Sequence, residues 1–172
     1  MDVVVTDTNI FFDLISAGLL DSVFKLPLRF HTTDTVLSEI VVPEQQQQIR
    51  SFVDSGDLFV KEFDDEEFAE IINMYSAKRN NVSITDCSVW YYARKNNFRL
   101  LTGDGKLRSS ATADGVIVSG ILFLTDMLVG HGIIPPKEMS EKLKELYSLN
   151  KRLPKNIICS RIVEYNKEIL NG

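Results

Sequence analysis

The chain has 172 residues, 44% hydrophobic and 25% charged, with a net charge of −5 and a pI near 5.1. That length suggests one domain that buries its own core without staples, and the acidic balance counts against a dedicated basic nucleic-acid binder while leaving room for a local basic rim. No apolar run approaches the roughly 18 residues needed to cross a membrane, and the opening MDVVVTDTN lacks the basic start of a secretion signal.

The elements alternate in chain order between strand-like and helix-like runs, the pattern of a parallel sheet covered by helices. Residues 3–6, short, continuous and β-branched, predict a buried strand. Residues 10–17 predict a helix stopped at Gly18. A second strand is expected over 29–32, a short helix over 35–41 ended before Pro43, and a separate helix over 44–53 containing Gln45 to Gln48. LFVKEF at 58–63 reads as a strand. An amphipathic helix follows over 64–78, with Phe68, Ile71, Ile72 and Tyr75 on its apolar face and Asp65, Glu66 and Glu67 in its first turn. Residues 84–95 predict another helix, 100–102 a strand and 116–118 a last strand. From Gly120 onward three helices are expected, the second starting at Pro135 and Pro136.

Four acids stand out against this frame. Asp7 and Asp104 each follow a strand, where ligands of open α/β sheets collect. Glu39 and Asp86 lie in helical contexts. If all four meet at one edge they repel one another unless a cation neutralises them, and oxygen-liganded magnesium or manganese suits that role. Each acid also has a simpler reading. Asp7 is placed to cap the helix near Ile10. Glu39, one turn after Thr35, reads equally as a surface glutamate. Asp86 follows Ser83 by three, the S-x-x-D capping box. Asp104, between Gly103 and Gly105, fits an ordinary Asp–Gly turn.

Around these acids, Thr8 and Asn9 offer a hydroxyl and an amide, and Ser83, Thr85 and Thr102 offer hydroxyls that orient a ligand or a water. Lys106, Arg108, Arg94, Lys95 and Arg99 suit phosphate contacts, and Lys78 and Arg79 extend such a rim or complement a helix end. His31 and His131 lack metal-type spacing and read as structural or exposed. Trp90, Tyr91 and Tyr92 read as core and interface. Cys87 reads as a buried thiol with no histidine nearby to activate it, and with Cys159 as the only other cysteine, a reducing cytoplasm is expected.

The stretches DTNIFFDL, VLSEI, SITDCSVWYYARKNN and LLTGDGKLR, in that order and spacing, resemble the PIN domain, especially VapC-type toxins and their stand-alone relatives. The resemblance implies an α/β fold, a central parallel β-sheet flanked by α-helices, with extra C-terminal helices. It places a single PIN-like domain over 1–172, with a core at 1–118 and a helical extension at 119–172. It implies a divalent-metal-dependent endoribonuclease using Mg2+ or Mn2+, with Asp7, Glu39, Asp86 and Asp104 as catalytic metal ligands, Asn9 and Thr102 in support, and Lys106 and Arg108 on RNA. The implied partners are an RNA substrate, an antitoxin protein and a second copy in a homodimer, with no membrane. At one place the resemblance breaks. Positions 105–108, where many members carry a further acid, read Gly, Lys, Leu, Arg, which counts against a second metal position but not the first.

Other classes remain open at this level. A phosphatase of the haloacid-dehalogenase kind needs an aspartate two residues after Asp7, where Asn9 stands. A non-catalytic PIN-like binding protein and a DNA nuclease of the wider group are the other readings.

Overall fold

The computed structural model describes residues 2–77 and 82–171, apart from the side chains of 168–171. The first element, β1 (Asp2–Thr6), becomes buried from Val4 onward because strands lie on both of its edges. α1 (Thr8–Ser16) follows and ends at Gly18, whose φ of 60° suits a residue without Cβ. There Gly18 N donates to Ile15 O (3.1 Å) and Leu19 N to Leu14 O (2.8 Å), the two bonds of a Schellman stop.

A short helix that the periodicity does not reveal, α2 (Leu20–Val23), leads into β2 (Leu28–Thr33). α3 (Asp34–Glu39) is capped by Thr33 and ends before the predicted point, because Ile40 leaves the helical region to be buried. α4 (Pro43–Asp54) begins with Pro43 itself in the first turn, where its missing N–H costs nothing. β3 (Leu58–Lys61) and α5 (Asp65–Ser76) follow, with Asp64 and Glu67 closing a capping box. The expected apolar face of α5 is only partly buried. Ile71 is fully enclosed, whereas Phe68 and Tyr75 are 41% and 45% exposed.

α6 (Ile84–Asn96) buries every residue from Cys87 to Ala93, aromatics included, and β4 (Arg99–Leu101) follows it. α7 (Gly105–Ala113) was not anticipated; the Asp104–Gly105 dipeptide opens a helix rather than a simple turn. β5 (Val118–Ser119) sits later than the predicted 116–118, and Ile117 is exposed. α8 (Ile121–Gly130), α9 (Pro136–Leu149) and α10 (Lys155–Asn171) complete the chain.

The five strands form one sheet in the order β3-β2-β1-β4-β5, and every pairing is parallel. The order reverses at β1, so the carboxyl ends of β1 and β4 form a topological switch point. The chain divides into two compact units. One comprises Met1–Ile10 and Pro27–Ser119 and holds the sheet. The other comprises Phe11–Leu26 and Gly120–Gly172 and is helical. Its core periodicity is plain in α9, where Met139, Leu143 and Leu146 recur at helical spacing and are fully buried. Among the described residues no helix is long and apolar enough to cross a membrane.

Candidate functional site

All four sequence-predicted acids belong to the sheet unit. Asp7 leaves β1 at the switch point. Its N–H donates to Leu101 O (3.1 Å), which fastens it to β4. Its carboxylate Oδ1 accepts from Ile10 N (3.0 Å), so Asp7 caps α1 as well. Oδ2 accepts from the hydroxyl of Thr102. Only 3% of Asp7 is exposed, and burial pushes its carboxyl up to about 7. The bonds from Thr102 and Ile10 oppose that rise, and the charges of Asp86 and Asp104 add to it.

Thr102, fully buried, joins two of the acids. It donates to Asp7 and accepts from Asp104 N (3.0 Å). Asp104 in turn caps α7, its Oδ1 accepting from Lys106 N and Leu107 N, both at 2.8 Å. Asp86 sits in the first turn of α6 in a complete capping box, with Ser83 N to Asp86 Oδ2 at 2.8 Å and Asp86 N to Ser83 Oγ at 3.0 Å. Partial burial raises its pKa, Ser83 lowers it, and Asp104 and Glu39 raise it further. Glu39, exposed at the end of α3, is held by the Thr8 hydroxyl at 2.5 Å. The electrostatic coupling thus links Asp7 to Asp86 and Asp104, and Asp86 to Glu39.

A feature that the sequence reading missed fixes the two helix-borne acids. Ser88 Oγ lies 3.0 Å from Thr33 Oγ1 and 2.7 Å from Thr35 Oγ1, and donates to Thr85 O (2.7 Å). This hydroxyl cluster staples the start of α3 to α6, and hence Glu39's helix to Asp86's. Only pairing across 55 positions reveals it, so no local spacing signals it.

The predicted cations behave differently from one another. Arg108 turns inward, donating to Thr102 O (2.9 Å) and Val118 O (3.5 Å). Lys106 is exposed, with no ion pair among the described residues. Arg94 pairs with Asp114 (2.6 Å), Lys95 with Glu67 (3.3 Å) and the Tyr91 hydroxyl (2.8 Å), and Arg99 donates to Ser119 Oγ (2.6 Å). Lys78 and Arg79 lie outside the described residues. The Asn9 side chain is half-buried and makes no hydrogen bond among them. His31 Nδ1 meets the Tyr92 hydroxyl at 2.8 Å, a structural role, and His131 is exposed. Neither cysteine forms a disulfide: Cys87 is buried with its Sγ donating to Ser83 O (2.9 Å), and Cys159 is exposed.

The family described as DUF3368: PIN domain matches residues 3–167. The chain belongs to the PIN-domain family. Among solved structures, PAE2754 from Pyrobaculum aerophilum superposes with a TM-score of 0.52 at 14% identity, over 73% of this chain and 96% of that one, and shares the fold. A domain of a functionally unknown protein from Methanocaldococcus jannaschii gives 0.47 at 17% identity, over 70% and 91%. FitAcB from Neisseria gonorrhoeae gives 0.43 at 14%, over 67% and 95%. No curated protein matches the chain.

For this PIN domain the question of a metal turns on its own donors. Four carboxylates, one of them with its pKa raised chiefly by burial and further by the charges of Asp86 and Asp104, suit a hard divalent cation. Asp86 Oδ1, Asp104 Oδ2 and Glu39 Oε1 accept no hydrogen bond among the described residues. Yet no three His, Cys, Asp or Glu side chains there stand close enough to ligate one ion as they lie. The donor chemistry fits; ligation by three or more requires the carboxylates to draw together.

Proposed function

We propose that this PIN-domain protein is a divalent-metal-dependent endoribonuclease that hydrolyses RNA phosphodiesters at the β1/β4 switch point. The observation that supports the reading is the tie of Asp7 and Asp104 through the buried Thr102 where β1 and β4 end, with Asp7 itself buried and its carboxyl raised to about 7 chiefly by that burial. Carboxyls whose pKa is raised by burial, such as those of Asp7 and Asp86, concentrate at functional sites. Asp7, Asp86, Asp104 and Glu39 are the residues that would hold Mg2+ or Mn2+. Such an ion, when bound, neutralises phosphoryl charge and acidifies water.

The chain's own groups divide the remaining work. Thr102 holds Asp7 through Oδ2 and Asp104 through its backbone, fixing the spacing of the two strand-end acids. Of Asp86 and Glu39, the one that does not coordinate the ion would take a proton from the attacking water, and Glu39 is exposed and steadied by Thr8 for that role. Asn9 offers its uncommitted amide to the substrate, and Lys106 an exposed cation to phosphate. We further propose a toxin role in which an antitoxin segment covers the acids, and a homodimer.

The open spacing of the carboxylates favours one second reading, a PIN-like protein that binds without cleaving. Incubating purified protein with a structured RNA pool decides between them. Manganese or magnesium supports cutting, and chelator or Asp104→Asn abolishes it, if the nuclease reading holds. Absence of cutting under every condition leaves the binding reading.

A further inference from the structure

An RNA-cleaving chain must attract a polyanion, and the sheet unit is poorly suited to do so. By the residue spans of the two units, it carries 16 acids against 10 bases, whereas the helical unit carries 8 acids against 9 bases. Of the two cations next to Asp104, Arg108 is bound to backbone carbonyls and Lys106 alone is exposed without an ion pair among the described residues, while Arg94 and Lys95, at the other end of α6 from Asp86, pair with Asp114 and Glu67.

Besides the single exposed cations Lys25, Lys137, Lys144 and Lys167, the helical unit groups three in one place, the turn after α9 and the first residue of α10. Lys151, Arg152 and Lys155 are all exposed, and none has a carboxylate partner among the described residues. The turn is organised from within. Asn150, at the end of α9, donates through Nδ2 to Asp13 Oδ1 (2.9 Å), and its own Oδ1 accepts from Arg152 N (3.1 Å). Asp13 is 7% exposed and its other oxygen has no partner, so its bond to Asn150 is the one that satisfies it. An anchor of that kind resists loosening, since it would leave a buried carboxylate unbonded. Leu153 N closes back on Asn150 O (3.3 Å), and Lys151 Nζ lies 4.4 Å from the Tyr147 ring centroid. Three cations are therefore displayed within five residues on a braced turn and the first residue of the helix that follows it.

We propose that this turn is a binding site for the RNA phosphate backbone, with Lys151, Arg152 and Lys155 as its contacts and the Asp13–Asn150 bond as its brace. It rests on the ribonuclease reading for the identity of the polyanion. Lysine and arginine contacts of this kind position a nucleic acid without reading its sequence. Each neutralised phosphate releases counterions, which makes the contribution measurable as a salt slope.

The test uses the full chain, a fluorescently labelled single-stranded RNA and chelator, so that binding is read without cleavage. Wild type is compared with the triple variant Lys151→Gln, Arg152→Gln, Lys155→Gln, and with a control of equal charge change, Lys25→Gln, Lys137→Gln, Lys144→Gln. Circular dichroism checks that both fold. Between roughly 50 and 200 mM salt the turn variant is expected to bind more weakly, with a log–log slope shallower by about 2 for three lost contacts. The control is expected to match wild type. An unchanged slope in the turn variant, or an equal loss in the control, overturns the proposal, as does wild type that fails to bind RNA but binds an acidic peptide. Cleavage with manganese is then measured separately. RNA that is bound through the turn but never cut sinks the nuclease reading and leaves the site standing. Cutting with an unaltered KM in the turn variant sinks the site alone.

Discussion

Asp7 shows how one residue serves two purposes at some cost in stability. Its carboxylate caps α1 and accepts from Thr102, yet burial still lifts its pKa from 3.8 to about 7. A carboxyl raised on folding penalises the native state wherever the unfolded chain is ionised. That penalty begins as pH passes the unfolded value, grows through the window between 3.8 and about 7, and is complete above it. At 1.36 kcal/mol per unit it amounts to about 4 kcal/mol. Metal-free Asp7→Asn is therefore expected to gain stability over wild type progressively from roughly pH 4 to roughly pH 7 and to hold that gain above it, while losing all cleavage. Urea unfolding at several pH values measures the difference; one that does not vary with pH contradicts the assigned burial. The sequence left capping and ligation open for Asp7, and the structure shows that it caps α1 through Oδ1 and accepts from Thr102 through Oδ2.

Among the elements, α7 was the least legible. Gly105 and Lys106 look like a turn continuing from Asp104, and helix propensity over 105–113 is unremarkable. What makes the helix is Asp104 satisfying two orphan N–H groups, together with full burial of Leu107 and Ala111. Asp104→Ala is expected to cost about 1 kcal/mol through the lost cap and to abolish cleavage. Asp104→Asn retains a capping oxygen, so it should abolish cleavage at nearly wild-type stability. Parallel denaturation and RNA-cleavage assays separate the two roles, and an active Asp104→Ala would reduce the residue to a cap. α6 was far more legible, since its S-x-x-D start and long apolar run both survive in the structure. The exposure of Phe68 and Tyr75 on α5 was not, because a helical stripe does not say how much of it the neighbouring elements cover.

At the scale of the molecule, the coupled acids should make stability depend on metal. A cation that binds the folded chain alone stabilises it by mass action. Binding must also displace the proton from Asp7, whose pKa is about 7. Excess manganese is thus expected to raise Tm more near pH 8 than near pH 6, with chelator reversing the rise and Asp7→Asn abolishing it. A Tm indifferent to manganese at both values favours the binding reading over the nuclease.

By itself, the sequence determined the alternation of strands and helices, and with it the parallel α/β architecture, because periodicity and β-branching are local properties of the chain. It also singled out four acids in strand-end and helix-start contexts, and the PIN resemblance that the family match bears out. Tertiary structure alone decided the strand order, which places the switch point between β1 and β4. It alone decided that Phe11–Leu26 clusters with the C-terminal helices, that Arg108 faces inward, and that a Thr33–Thr35–Ser88 cluster joins the helices of Glu39 and Asp86. Each of these depends on residues tens of positions apart meeting through burial and hydrogen bonding, and no window along the chain contains that information.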